Sequence, residues 1–387
     1  MISISDIYDK DLNFLFGSGA SSGLYPTLQL QIQKDAETRW SLEELATHLE
    51  AEGPSRRIPL FMHYYSSCIR PAQLLDLTLI PAIGPQRTVI ENYRVFLKTV
   101  LNILQRRKSM ERRCNLFTTN YDGCFPLVAD ELIQEGLFNF VLNDGSRGFR
   151  TKHLQIQNFS QYLCQSGVFD RHLVSIPQIN LMNLHGSIYW KRTDRGIQVN
   201  YESEVGDSLL DEAKLAKLKP FSDVLENADS TLGDLATPGF TEAELDEFWD
   251  AYQKIPIVNP TKWKFHETVY EEHYYQMLRL LSYELEKPNA VLITFGFSFA
   301  DEHILNLVKR SLSNPHLQVF VCCYSEASCQ KLSDEFRSFK NVKCFTLEGE
   351  SLDFSAFNSK VFTLASGDTA TPIAPAPEPG PEEEALA

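Results

Sequence analysis

The sequence predicts an α/β fold built on a Rossmann-like parallel sheet. Five short apolar runs have the character of buried strands, at residues 13–16, 115–118, 290–295, 318–323 and 342–347. Parallel strands that are covered on both faces are near-continuous apolar runs of this kind. Helical patterns separate the runs, and the last three alternate with helices in a β-α-β-α-β order. We therefore expect a parallel sheet with helices on both faces.

Two longer segments interrupt this pattern, at about residues 36–112 and 195–288. Both are mostly helical in pattern, and the second is acidic. We expect them to be helical insertions that cover the sheet edge and the site, within one domain that spans residues 1–365. Residues 366–387 are acidic and rich in Pro and Ala, with almost nothing to bury, so we expect a disordered tail.

Composition limits the classes of function. With 36 basic and 51 acidic residues the formal charge is −15, which opposes binding along a phosphate backbone, so we expect no direct contact with nucleic acid. The eight cysteines show no C-x-x-C spacing, which favours free thiols and no structural zinc. There is neither a signal-like N-terminus nor a long apolar run, so we expect a cytoplasmic protein without a membrane segment.

The loop after the first predicted strand, GSGASSG at residues 17–23, consists only of small residues. No Lys follows it, which excludes a P-loop, and it misses the dinucleotide pattern G-x-G-x-x-G by one residue. It also contains G-x-S-x-G, the nucleophile elbow of α/β-hydrolases, but that fold builds several strands before its elbow. The favoured interpretation is a loop whose backbone N–H groups approach a pyrophosphate. A turn with no ligand and, least favoured, a hydrolase with Ser21 as its nucleophile remain as alternatives.

The second motif, TTNYD, follows the strand predicted at residues 115–118 and contains Thr119, Asn120 and Asp122. Polar residues at the carboxyl end of a parallel strand lie where open α/β sheets bind ligands. The same residues are also typical of a turn that caps the next helix.

The third motif places His185 directly before Gly186 in an apolar frame. A glycine at a strand end would leave one side of the imidazole accessible to a ligand, and a neutral histidine can accept a proton near pH 7. The alternative is a buried core histidine. The other histidines considered, His266, His273 and His303, lack metal-ligand spacing, and we expect them to be structural.

The fourth motif is GFSFADEHI, in which Gly296 and Ser298 follow a strong predicted strand. Taken in order, GSGAS, TTNYD, LHGS and GFS resemble the motifs of the sirtuin family. The longer phrase GFSFADEHI, with PTK at residues 260–262, is similar to the sirtuin-like NADases of bacterial anti-phage defence systems. The resemblance covers roughly residues 10–350 and implies a sirtuin-type sheet in a sirtuin-like NAD-binding domain over residues 1–365.

One departure bears on activity. Protein-deacetylating sirtuins carry a zinc module with two C-x-x-C pairs between the His-Gly and Gly-x-Ser motifs, and this chain has no cysteine between Cys164 and Cys322. The resemblance therefore implies hydrolysis of NAD to nicotinamide and ADP-ribose rather than deacylation, with no metal cofactor. Transfer of ADP-ribose or an acyl group to a protein, and a nucleotide sensor without chemistry, remain alternatives.

The resemblance also assigns roles to residues. Asn120 would orient the nicotinamide ribose and the attacking water, and His185 would act as the base. The pyrophosphate would be held by Gly17, Ser18, Gly19, Ala20 and Ser21, and the phosphate and the adenosine ribose by Gly296 and Ser298. Thr119 and Asp122 complete the cofactor-binding set, in which Asp122 would fix the TTNYD loop. The segment at residues 24–31 could close over the site as a lid. The implied partners are further copies of the chain, in a homo-oligomer, and a HerA-type hexameric ATPase.

Overall fold

The computed structural model describes residues 4–35, 37–107, 112–166, 173–201, 208–259 and 272–364. The predicted tail, His266 and the PTK segment lie outside these residues. No helix within the described ranges combines the length and the apolarity needed to cross a bilayer.

A seven-stranded sheet with all strands parallel forms the centre of the fold. Its strands, numbered along the chain, are β1 (Asp11–Phe16), β2 (Arg113–Thr118), β3 (Val141–Asn143), β4 (Gln178–Asn183), β5 (Ala290–Phe295), β6 (Gln318–Cys322) and β7 (Val342–Phe345). Their order across the sheet is β7-β6-β5-β1-β2-β4-β3. The chain thus builds outward from β1 in one direction and later returns to build outward from β5 in the other, as in doubly wound folds. This confirms the predicted Rossmann-like parallel sheet.

Alternating side chains of β1 enter two separate cores. Leu12, Phe14 and Phe16 pack on one face, against helices Pro85–Arg106 and Cys124–Gln134. Leu15 points to the opposite face, as successive residues of a strand must. That face is covered by helices Glu272–Leu285, Glu302–Ser311 and Glu326–Phe336.

Four asparagines, of which all but the half-buried Asn143 are buried, connect four neighbouring strands of the sheet. Asn115 donates to Asn13 Oδ1 at 2.8 Å, and Asn180 donates to Asn115 Oδ1 at 2.9 Å. Asn143 extends the chain by donating to Asn180 Oδ1 at 3.0 Å. A one-residue slip of any strand would leave these buried amides without their partners, so the ladder holds the register.

The two predicted insertions contain helices of two kinds. Helices Leu42–Glu50, Pro54–Tyr64, Glu212–Leu225 and Glu242–Tyr252 share a third apolar cluster, so parts of both segments form one helical layer. Pro85–Arg106 and Glu272–Leu285 instead pack on the sheet, immediately before β2 and β5 in the chain, as crossover helices do.

The remaining elements are short. A four-stranded antiparallel sheet contains Trp190–Thr193, Gly196–Val199, Lys152–Leu154 and Ser146–Arg147, and two hairpin pairs join Gln29–Gln33 to Arg39–Ser41 and Cys164–Ser166 to Leu173–Ser175. Single helical turns and short π-helical segments lie at Ile4–Ile7, Ser18–Ser21, Tyr65–Ile69, Arg70–Gln73, Ile156–Ser160, Leu232–Asp234, Phe354–Ala356 and Phe357–Val361.

Candidate functional site

The four strand-end motifs meet at one edge of the sheet. In the parallel register, Phe16 at the end of β1 lies beside Thr118 at the end of β2 and beside Phe295 at the end of β5. Thr118 in turn lies beside Asn183, the last residue of β4. The junction of β1 and β5 is where the strand order reverses, which is the place where open α/β sheets bind ligands.

The glycine loop and the Gly296 loop pack backbone against backbone. Gly17 N–H donates to Phe295 O at 3.1 Å, and Gly19 N–H donates to Gly296 O at 3.0 Å. A Cβ on Gly19 would lie 2.7 Å from Gly296 Cα, and Gly296 itself has φ +62°. These glycines are therefore required by the contact between two loops, whereas the sequence suggested that they make room for a phosphate.

A cavity opens beside these loops, and Asn120 and His185 both line it. Both side chains are buried, with 9% and 3% of their surface exposed. Three carboxylates line the same cavity, those of Glu43, Asp122 and Asp301, and none of its described lining residues is Lys or Arg. The cavity is thus suited to a ligand group that carries positive charge.

A hydrogen-bond network centred on Ser21 holds the side chain of Asn120. The buried Ser21 hydroxyl donates to Asp122 Oδ2 at 2.6 Å and lies 2.8 Å from the Tyr93 hydroxyl. Asn120 Nδ2 donates to the same Ser21 oxygen at 3.2 Å. With its nitrogen held in this way, the Asn120 side chain has its carbonyl oxygen left to accept a hydrogen bond from a ligand.

The same network argues against a nucleophilic Ser21. The hydroxyl has one proton, and that proton is donated to Asp122. A nucleophilic serine instead donates to a general base, usually a histidine. Ser21 therefore serves as a connector between the glycine loop and the TTNYD segment.

Asp122 places a negative charge among phenols and thiols. Its other oxygen accepts from the backbone N–H of Cys124 at 3.1 Å, which holds the start of helix Cys124–Gln134. Burial, and then the charge of Asp122, raise the pKa of Tyr93 well above its usual range. Burial and the same carboxylate raise the pKa of Cys68 to about 12. Tyr93 and Cys68 are therefore neutral near pH 7.

His185 is held by its backbone and by the residue that follows it. Its carbonyl accepts from Val258 N–H at 2.8 Å. Gly186 has φ +84°, and a Cβ there would lie 2.0 Å from Pro256 O. Glycine is required at this position because the chain at residues 256–258 occupies the place of a Cβ, while His185 itself lines the cavity.

His303 lies beside His185, although we expected it to be structural. The two imidazole rings have centroids 5.8 Å apart at an interplanar angle of 39°. Asp301 joins them, and the candidate ligand atoms of all three residues lie within 4.8 Å of one another. His273, in contrast, packs its ring against Trp190, with centroids 6.1 Å apart.

A second cavity, of about 1620 Å³ with its mouth, lies on the other side of the glycine loop. It shares Ser18, Gly296 and Ser298 with the first cavity and extends past the end of β6 to Tyr324 and Asp353. The two cavities together form a groove that crosses the junction of β1 and β5. An elongated ligand could therefore contact both sides of the loops at once.

The predicted site residues lie around this groove. Ser18, Ser21, Thr119, Asn120, Asp122, His185, Gly296 and Ser298 line the first cavity, Gly19 and Ala20 line the second, and Gly17 is buried between the loops. Sequence reasoning missed Tyr93, Tyr64 and Glu43, which come from helices far away in the chain. It also missed Tyr25 and Pro26, in the segment proposed as a lid, which form part of the first cavity's wall.

Comparison with protein-family models found no match, and no curated protein matched significantly. We therefore base the function on the geometry of the chain and on the motif resemblance.

Proposed function

We propose that this chain is a sirtuin-type NAD glycohydrolase without a zinc module, which cleaves the bond between nicotinamide and ribose. The observation that carries the proposal is the presence of Asn120 and His185 in one buried cavity beside the glycine loop. An amide can orient a hydroxyl and an imidazole can accept the proton that water loses, so these two groups are suited to hydrolysis at this bond.

The charge of the first cavity supports NAD as the substrate. The nicotinamide ring of NAD is a cation, and the sugar gains positive charge as the bond breaks. Glu43, Asp122 and Asp301 supply negative charge around the cavity, and none of its described lining residues is Lys or Arg. Because Coulomb attraction is strong in a buried site, these carboxylates favour both the bound ring and the transition state.

The groove accommodates the two ends of NAD separately. Nicotinamide and its ribose would occupy the first cavity, and the adenosine would lie in the second, near Tyr324 and Asp353. The pyrophosphate would then cross the loops that the cavities share. Gly19 and Ala20 donate their N–H groups within the protein, to Gly296 O and Gly17 O, so exposed Ser18 and Ser298 are the better-placed phosphate contacts.

The chemistry needs little from the protein beyond placement. The C–N bond breaks with its electron pair going to the ring nitrogen, so nicotinamide leaves neutral and needs no proton. Water forms the new C–O bond, and His185 accepts the proton that it loses. Asn120 orients the water and the ribose hydroxyls through its carbonyl oxygen. No step uses a metal ion.

The test compares Asn120→Ala and His185→Ala with His316→Ala, which removes an exposed histidine outside the groove. We expect each of the first two changes to lower nicotinamide release from NAD by at least about a hundredfold, since proton transfer and orientation act at the chemical step. Thermal melting checks that the variants are folded. Wild-type turnover in both site variants would contradict the proposal. Nicotinamide release that requires an acetylated peptide would favour acyl transfer.

The motif resemblance supports a role in anti-phage defence, in the cytoplasm, through depletion of NAD. A cell needs such an enzyme to be restrained, and we propose that assembly provides the control, in a homo-oligomer with a HerA-type ATPase as companion. An assembly can change activity only by binding the active arrangement more tightly than the inactive one. Light scattering and NAD turnover on the same sample test this: a monomer that is fully active with or without the ATPase would contradict it.

A further inference from the structure

Three groups that can bind a metal converge at one side of the first cavity. His185 follows β4, and Asp301 and His303 lie at the start of helix Glu302–Ser311, after β5. Their candidate ligand atoms all lie within 4.8 Å of one another. His185 is 3% exposed and the other two residues are half-buried, so the cluster lies inside the protein rather than on its surface.

The donor set is that of a zinc-type site. Two imidazoles and one carboxylate suit Zn²⁺, which binds through three protein ligands when a fourth position is kept for water or another group. Atoms around a tetrahedral zinc are roughly 3.4 Å apart, because each lies about 2.1 Å from the ion. The candidate ligand atoms of His185, Asp301 and His303 lie within 4.8 Å of one another, so each pair would have to approach by at most about 1.4 Å (4.8 − 3.4) to reach that distance.

Local electrostatics also favour a cation. The helix that begins at Glu302 contributes roughly half a positive charge at its N-terminus, which opposes a cation. Against this stand the full negative charges of Asp301 itself and of Asp122 and Glu43, which line the same cavity. The described lining of the cavity thus offers three carboxyl groups and no Lys or Arg beside the cluster.

We propose that His185, Asp301 and His303 form a binding site for a zinc-type divalent cation, and that occupation of this site switches the enzyme off. The inhibitory half of this inference rests on the proposed function, in which His185 accepts a proton. An imidazole whose nitrogen binds a metal has its other nitrogen protonated, so it has no lone pair left to act as a base. The cation thus competes directly with catalysis.

The experiment uses the full chain, stripped of metal with a chelator and then dialysed. Isothermal titration with Zn²⁺ compares the wild type with His303→Gln and Asp301→Asn, and with His316→Gln as a control that removes a histidine outside the groove. We expect one site per chain that weakens by at least about a hundredfold in the first two variants, since loss of a mere hydrogen-bond partner of a ligand already costs ten- to hundredfold. Mg²⁺, which prefers oxygen ligands, should not bind there.

Cobalt(II) substitution identifies the ligands independently of activity. The chain has eight free cysteines, some of which could bind zinc elsewhere. A cobalt site made of histidine and aspartate shows ligand-field bands without the sulfur-to-metal charge-transfer band of a thiolate site. We expect the ligand-field bands to disappear in His303→Gln and to persist in His316→Gln.

Turnover then tests the switch. Zinc should lower the NAD turnover of the wild type with the dissociation constant found by titration, whereas the residual turnover of His303→Gln should not respond over that range. Equal zinc affinity in the wild type and His303→Gln would overturn the site, and activation by zinc would overturn its inhibitory role. A metal-free wild type that leaves NAD intact would instead refute the proposed function, without affecting the titration.

Discussion

Ser21→Ala separates the connector role of this serine from the nucleophilic role that its G-x-S-x-G context suggests. Ser21 is 4% exposed, and its oxygen contacts Asp122 at 2.6 Å, Tyr93 at 2.8 Å and Asn120 at 3.2 Å. Alanine keeps the Cβ and deletes that one oxygen. The change therefore removes three polar contacts and hardly alters the packing.

The size of the effect follows from what is left behind. A buried hydrogen bond to a charged group contributes about 1.5–3 kcal/mol to stability, and a neutral one about 1 kcal/mol. The variant removes the hydroxyl donor from Asp122 Oδ2, while Oδ1 keeps the backbone N–H of Cys124. It also removes the Ser21 contact from the side chains of Tyr93 and Asn120. Because such contributions overlap within one network, we expect the free energy of unfolding to fall by about 3 kcal/mol.

Urea denaturation and NAD kinetics on the same preparation provide the measurement, with Ser338→Ala, an exposed serine outside the groove, as the matched control. We expect Ser21→Ala to have a lower urea midpoint and a partial loss of turnover, because Asn120 loses its anchor while His185 is unchanged. The control should match the wild type in both respects. Unchanged stability together with complete loss of activity, in a parent that hydrolyses esters, would refute the connector role and restore the nucleophile.

Two further predictions concern the loops and the helical layer. In Gly296→Ala the new Cβ would lie 2.6 Å from Ala20 N, and the backbone there has φ +62°. We therefore expect the free energy of unfolding to fall by several kcal/mol, which thermal melting detects. We also expect weaker NAD binding, which calorimetry measures. Gly239→Ala, where a Cβ meets nothing within 4 Å, should be nearly neutral. Burial lowers the pKa of His63 from 6.5 to about 4, so the unfolded chain binds the proton more readily and stability falls as the pH drops from about 6.5 to about 4. His63→Gln should flatten this dependence in urea titrations at pH 7.5 and pH 5; an equally steep loss would show that another group is responsible.

Much of the sheet could be predicted from the sequence. The apolar run at residues 290–295 coincides with β5. It was recognisable because a strand that is covered on both faces is apolar throughout, and few other segments of this chain are. The short strand Val141–Asn143 was missed, since its three residues are only half-buried and show no apolar run. The order of the strands could not be predicted either. It depends on contacts between residues that are a hundred or more positions apart in the chain, such as Asn13 and Asn115.

The glycines show how a correct pattern can have a different physical cause. Gly17 and Gly19 were singled out because small residues could admit a phosphate, and Gly296 because its loop follows a strong predicted strand. In the structure, a Cβ added to any of these glycines would lie only 2.5 Å to 2.8 Å from backbone atoms of the opposite loop. Local sequence does not distinguish these causes, since the contact joins loops that are about 280 residues apart.

His303 was set aside for the lack of metal-ligand spacing, and that criterion applies only to ligands that share one helix or one loop. In a doubly wound sheet the ligands can come from two strand ends instead, as His185 and His303 do. The carboxyl ends of β4 and β5 lie on the same edge, so polar residues within about eight positions of either end can meet whatever their separation in sequence. By this criterion Asp301 and His303 are candidate site residues in the same way as Asn120 and His185. Tyr93 is not found by it, because Tyr93 reaches the site from the middle of helix Pro85–Arg106.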